Sequence, residues 1–155
     1  MMDALIFDLD GVIADTVTLH NHTWLQVLDE ANITPEPELL ERTRGLSRRG
    51  IFDLLFGDVV RDEAQIEAIL ARKNALYGAL MAAMTPADVL PGVRDWIQEA
   101  RALGMRVGVG SASRNARTVL TQVGLADAFD VVGDGGSVVN AKPAPDIFVW
   151  VCGAL

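Results

Sequence analysis

An apolar run that ends in two acids and a glycine, Leu5-Ile6-Phe7-Asp8-Leu9-Asp10-Gly11, lies almost at the start of the chain. Continuous apolar residues over 4–9 predict a fully buried strand of a parallel sheet, because a strand with one wet face alternates apolar and polar side chains. Residues two apart on extended backbone point the same way. Asp8 and Asp10 are therefore expected to face one cavity beyond the strand's carboxyl end, where parallel sheets collect their functional groups. Two clustered carboxylates repel. A divalent cation such as Mg²⁺, which prefers oxygen ligands, or a proton shared with a substrate relieves that repulsion.

From Thr16 the pattern turns helical. Val17, Trp24, Leu25 and Leu28 lie close to one face, with His20 one turn before Trp24. Thr34 to Pro37 breaks this helix. Short helices are expected over 37–42 and 47–56, then a longer one carrying Ile66, Ile69, Leu70, Leu76 and Leu80. Val93, Trp96, Ile97, Ala100 and Leu103 form an amphipathic helix that Gly104 stops. Met105 to Gly110 reads as a strand, 114–123 as a helix, 129–132 as a third strand, and a last helix begins near Pro145. Strands alternating with helices imply an α/β, Rossmann-like, three-layer core with about three parallel strands. The expected division is a core of 1–15 and 85–155, with 16–84 inserted as a helical cap.

Two more strand ends carry chemistry. In VGVGSASRNA, 107–116, Ser111 stands where a strand passes into a helix, and free backbone N–H groups there attract anions. Ser111, those amides, Arg114 and Asn115 make a phosphate cradle. In NAKPAP, 140–145, Lys142 lies where a cation neutralises both Asp8 and a phosphate. The three strand ends together describe one pocket with two acids, an anion cradle and a lysine. A carboxylate can attack phosphorus to give an aspartyl-phosphate, and a second acid can move the proton.

The charge balance of −8, from 13 basic and 21 acidic residues, argues against nucleic-acid binding. The single cysteine, Cys152, excludes an internal disulfide and reads as a small buried apolar residue. No apolar run approaches the ~18 residues a membrane span needs, and no basic region precedes the first apolar stretch, which follows Asp3. A cytoplasmic protein without membrane association is expected.

DLDGV at 8–12, SAS at 111–113 and KPAPDIF at 142–148 resemble the three motifs of the haloacid dehalogenase superfamily of phosphotransferases. Within it, ADT at 14–16, His20, Trp24, RGLSR at 44–48, RKN at 72–74, TPADVLPGV at 85–93 and SASRN at 111–115 are most similar to the β-phosphoglucomutase family. That resemblance implies Asp8 as nucleophile and Mg²⁺ ligand. It implies Asp10 as general acid and base, with its carbonyl on the metal. Ser111, the Ala112 N–H and Lys142 would hold the transferring phosphoryl group. Arg48, in the loop with Gly45, Leu46 and Ser47, would grip a distal phosphate with Ser113, Arg114 and Asn115. His20, Trp24 and Lys73 would line the sugar side.

The implied reaction interconverts β-glucose 1-phosphate and glucose 6-phosphate through a bisphosphate. The alternatives are a sugar-phosphate phosphatase and a catalytically impaired binding module. The superfamily's fourth motif, an acidic pair on a later strand that completes the metal site, has no counterpart after Lys142. The expectation is therefore a C-terminally truncated form of much reduced activity. Its first strand would have a bare edge, or one covered by a second copy or an exchanged segment.

Overall fold

The computed structural model describes residues 4–57 and 59–155 (for Pro37, the backbone alone). Asp3 and the start of the expected core lie outside the described residues. Three parallel strands form one sheet in the order β1 (Ala4–Phe7), β2 (Arg106–Gly110), β3 (Val131–Gly133). Phe7 of β1 pairs with Val109, and Gly110 pairs with Gly133. Helices α1 (Val17–Glu30), α2 (Pro37–Glu41), α3 (Arg48–Phe56) and α4 (Glu63–Met81) intervene between β1 and the rest. After a 3₁₀ turn at Pro86–Asp88 come α5 (Val93–Ala102), α6 (Ala116–Gln122) and α7 (Asp146–Ala154). This is the expected α/β architecture with a helical insert.

The period of two along β2 decides how its faces are covered. Val107 and Val109 are fully buried in a cluster with Val93, Ile97 and Ala100 of α5 and Leu120 of α6. The opposite face carries glycines, and α7 lies almost on the backbone there. A Cβ at Gly108 would sit 2.7 Å from Val151, and one at Gly133 2.7 Å from Val151 and 2.9 Å from Ile147. Ile147 and Val151, one turn apart, form the buried seam of α7. Cys152 is one residue round the helix from that seam and is exposed, contrary to the sequence reading.

The first strand also departs from expectation. It ends at Phe7 rather than at residue 9, and its four residues are only half-buried, because β2 is its one sheet neighbour among the described residues. Leu9 is nonetheless fully buried, and its carbonyl accepts from the amides of Val12, Ile13 and Ala14 in a tight turn. Gly11, at φ +73°, supplies the left-handed backbone that the turn needs. Three apolar residues placed on buried faces by the sequence are exposed: Leu25, Trp96 and Leu103. Leu25 and Trp96 sit one position off the true stripe, which runs through Trp24, Val27 and Leu28 in α1 and through Val93, Ile97 and Ala100 in α5, and Leu103 lies past the end of α5.

A second apolar cluster joins Trp24 and Leu28 to Phe52, Phe56 and Ile66, with the two phenylalanine rings stacked at 4.9 Å. Helix α4 serves both clusters, since Tyr77 and Met81 at its end belong to the sheet-side core. The two passages between helices and sheet run side by side. Ala14 bridges Val89 antiparallel, Leu90 N–H donates to Ile13 O at 2.9 Å, and Thr85 and Asp88 close a capping box beside them.

Gly133→Ala is expected to destabilise the fold by about 1–3 kcal/mol through overpacking against α7. Gly153→Ala, with open space at its Cβ position, is expected to be neutral or to stabilise by up to about 1 kcal/mol. Urea unfolding midpoints of the two variants check this.

Candidate active site

Asp8 and Asp10 follow β1 on either side of buried Leu9, so the alternation continues past the strand's last ladder bond. Asp8 Oδ1 accepts from the Leu9 amide at 2.7 Å and from Lys142 Nζ at 2.8 Å. Lys142 also donates to Gly110 O at 3.0 Å and lies 4.6 Å from the Phe148 ring centroid. It therefore links the end of β2 to the turn preceding α7. Asp10 is held by its other neighbours. Thr16 Oγ1 donates to Oδ1 at 2.6 Å, His20 Nε2 stands 3.5 Å from the same oxygen, and Ser111 Oγ donates to Oδ2 at 3.4 Å. Burial by itself would raise the Asp10 carboxyl, but the contacts with His20, Thr16 and Ser111 outweigh it and hold the group below the usual aspartate value.

The loop after β2 differs from the sequence expectation in one respect. Helix α6 begins only at Ala116, because hydroxyls intercept the amides before it. Ser111 Oγ accepts from Ser113 N–H at 3.0 Å, and Ser113 Oγ from Asn115 N–H at 3.2 Å. Among the described residues the amides of Ala112 and Arg114 have no such partner, so the free amides lie on a loop rather than at a helix terminus. Gly135 braces this loop: its N–H donates to Ser113 O at 3.2 Å, and a Cβ there would lie 2.3 Å from Ala112 O.

From the helical side, Gly45 turns the chain at φ +76° and Ser47 caps α3 by accepting from Gly50 N–H at 3.1 Å. That places Arg48 on the first turn. Arg48 and Arg49 part company here. Arg49 pairs with Asp53 and Glu63 at 2.8 Å on the outside. Arg48 has no carboxylate partner among the described residues, and burial, then the Arg114 charge, lower its affinity for a proton. Arg48 and Arg114 both line the cleft, and guanidiniums without a carboxylate partner are suited to an anion.

Lys73 occupies the buried stripe of α4, between Ile66 and Tyr77. Its Nζ is 5.3 Å from the Trp24 ring centroid, 4.6 Å from that of Tyr77 and 2.7 Å from His20 Nδ1. Burial and then the Arg48 charge push it down to about 7, against the pull of Asp10. His20 stacks on Tyr77 at 4.1 Å and is itself pushed down, first by burial and then by the Lys73 and Arg48 charges, though Asp10 opposes this. A neutral His20 that accepts at Nδ1 carries its proton on Nε2, toward Asp10.

A cleft of about 930 Å³ is lined by every residue that the sequence singled out, from Asp8, Asp10, His20 and Trp24 through 45–48 and Lys73 to 111–115 and Lys142. Thr16, Asn74 and Tyr77 were given no role in the sequence reading. Asn74 accepts from Asn115 Nδ2 at 3.3 Å, which joins α4 to the anion loop. Thr16 and Asn74 lie inside motifs quoted above, and Tyr77 sits one helical turn after Lys73. The buried Nε1–H of Trp24 lacks a partner among the described residues. For Mg²⁺ the available donors are the Asp8 carboxylate and the Asp10 carbonyl, hard oxygens of the required kind. No cluster of three metal-binding side chains occurs among the described residues. No described helix is long and apolar enough to cross a membrane.

Residues 2–155 match the family model for haloacid dehalogenase-like hydrolases. The chain is 33% identical over 158 residues to a β-phosphoglucomutase of Bacillus subtilis (strain 168), covering 99% of this chain and 70% of that protein. It is 30% identical over 148 residues to a fructose-1-phosphate phosphatase of Escherichia coli (strain K12), covering 94% and 76%. The crystal structure of a β-phosphoglucomutase from Clostridium difficile superposes with a TM-score of 0.93 at 33% identity, covering 99% of this chain and 71% of that one.

Lys73 gives the fold a pH dependence of defined sign. Between about pH 7 and ~10.4 the unfolded chain holds a proton on this lysine that the folded chain has released, so stability rises with pH across that window. Below pH 7 both forms are protonated and the cost of burying the charge is complete. Lys73→Met is expected to flatten the rise and to stabilise the protein most at pH 6, as read from urea midpoints at pH 6, 8 and 10.

Proposed function

This chain belongs to the haloacid dehalogenase-like hydrolases, and from that premise we propose that it transfers a phosphoryl group between hydroxyls of a hexose phosphate. The reading is a β-phosphoglucomutase-type interconversion of β-glucose 1-phosphate and glucose 6-phosphate. The observation that carries it is the second anion site. Arg48 and Arg114, neither paired with a carboxylate among the described residues, line the same cleft where Asp8 pairs with Lys142, and the Arg114 charge acts on Arg48. A bisphosphate intermediate that turns over needs two anion sites, whereas hydrolysis of one ester needs only one.

In this reading Asp8 carries the phosphoryl group as an aspartyl-phosphate. Lys142, the Ser111 hydroxyl and the Ala112 amide hold its oxygens. Asp10, kept as a carboxylate by its neighbours, takes the proton of the attacking sugar hydroxyl. The same proton then serves the leaving oxygen when the bisphosphate reacts in its second orientation. Mg²⁺, on the Asp8 carboxylate and the Asp10 carbonyl, would neutralise charge on the transferring group. Residues 16–84 act as a cap: His20, Lys73 and Trp24 present donors to the sugar, and closure over the cleft keeps water from the aspartyl-phosphate. The cytoplasm, where phosphorylated sugars are metabolised, is the proposed location.

A phosphatase acting on a small sugar phosphate is the second reading, favoured by the 30% identity to the fructose-1-phosphate phosphatase. Phosphorus NMR with β-glucose 1-phosphate, Mg²⁺ and a priming bisphosphate separates the two: isomer formation supports the mutase, and inorganic phosphate alone supports the phosphatase. Asp8→Asn is expected to lower turnover by roughly 10⁴-fold or more in either case. Arg48→Ala is expected to lower isomerisation by about 10- to 100-fold, the loss of a charge-assisted contact, while sparing hydrolysis of a small phosphoester. Equal loss of both activities would remove the two-site argument.

A further inference from the structure

We propose that Lys73 is a carbonyl-reactive amine that captures phosphorylated aldehydes as an imine, with the phosphate held between Arg48 and Arg114. The chain has only two lysines, Lys73 and Lys142, against eleven arginines, and both lysines line the one cleft. Every other basic side chain is a guanidinium or an imidazole, neither of which forms an imine. Lys142 is already engaged with Asp8 at 2.8 Å and with Gly110 O at 3.0 Å. Lys73 has no ion pair among the described residues. It is sheltered between the Trp24 and Tyr77 rings, and its value of about 7 leaves a lone pair available in mildly alkaline solution.

His20 completes the arrangement. Its Nδ1 lies 2.7 Å from Lys73 Nζ and, when unprotonated, accepts a hydrogen bond from it. When the amine attacks an aldehyde carbon, the C–N bond forms and the carbonyl π bond breaks. The proton lost by nitrogen passes to Nδ1 and from there, directly or through solvent, to the oxygen. The carbinolamine then loses its hydroxyl together with the remaining N–H proton as water, leaving the C=N bond, so amine and aldehyde give imine and water with no oxidant or reductant. Arg48 lies close enough for its charge to act on Lys73, and Arg114 close enough to act on Arg48. A phosphate held by the two guanidiniums therefore presents the rest of its molecule to the amine. The ligand class is an aldehyde bearing a phosphate, as in the open-chain form of an aldose phosphate, and such an adduct would block the cleft reversibly.

The phosphate anchor rests on the second anion site of the proposed function; the amine chemistry does not involve Asp8. The full chain is incubated with pyridoxal 5′-phosphate at pH 8, reduced with borohydride and mapped by peptide mass. The expected result is a reduced adduct on Lys73, displaced by excess inorganic phosphate. Pyridoxal without its phosphate, and the Arg48→Ala variant with the phosphorylated probe, should each label roughly tenfold less. Lys73→Arg, which keeps the charge and the fold by circular dichroism, should lose the adduct. Asp8→Asn should label as the parent does, so retained labelling with or without sugar-phosphate turnover separates this inference from the catalytic reading. Preferential labelling of Lys142 or the α-amine, or equal labelling by pyridoxal, overturns it.

Discussion

The carboxylate of Asp10 is gripped from three places that are far apart in the sequence. Thr16 ends the passage out of the sheet, His20 belongs to α1, and Ser111 closes β2. Each bond alone is modest, on the order of 1–3 kcal/mol for a charged acceptor. Their joint effect is positional. They tie the helical segment to the strand ends at this one carboxylate, and they hold it below the usual aspartate value although burial opposes that. Lys142 Nζ fixes Asp8 Oδ1 at 2.8 Å from the turn before α7. The site is thus assembled by contacts that also fix how β1, β2 and the turn before α7 meet.

Charge is distributed against the chain's average. The protein carries a formal charge of −8, yet its principal cleft brings together Arg48, Arg114, Lys73 and Lys142. Three of these are crowded enough that Arg114 weakens the proton affinity of Arg48, and Arg48 that of Lys73. Such crowding costs stability unless an anion relieves it, so binding a dianion and settling the helices over the sheet draw on the same interaction. The acidic exterior, for its part, disfavours large polyanions at the same opening.

Much of this was legible in the residues. Apolar runs, glycine stops and the strand–helix alternation located the elements to within a few positions, because those signals are local. Asp8, Asp10, Ser111 and Lys142 were legible because each follows a strand end, whereas His20, Trp24 and Lys73 lie inside α1 and α4 and were named from the resemblance. What escaped was set by neighbours rather than by pattern. Continuous apolar residues suggested full burial for β1, but burial depends on a second sheet partner. Trp96 and Leu25 fit an amphipathic face within the error of one residue, and one residue turns a helix by a quarter of its circumference. The late start of α6 reflects two serine hydroxyls taking amides that a helix would have left free. Lys73 carried no apolar signal, so only its expected place on the sugar side came from the resemblance, and its burial in the stripe of α4 was not legible.

The neighbouring passages at Ala14 and Val89 have a wider meaning. Entry and exit of the helical segment are stitched to each other, so the chain enters and leaves that segment through a single stalk. Lineages could trade the segment wholesale, acquiring new tastes in substrate while the chemistry at the strand ends stays untouched.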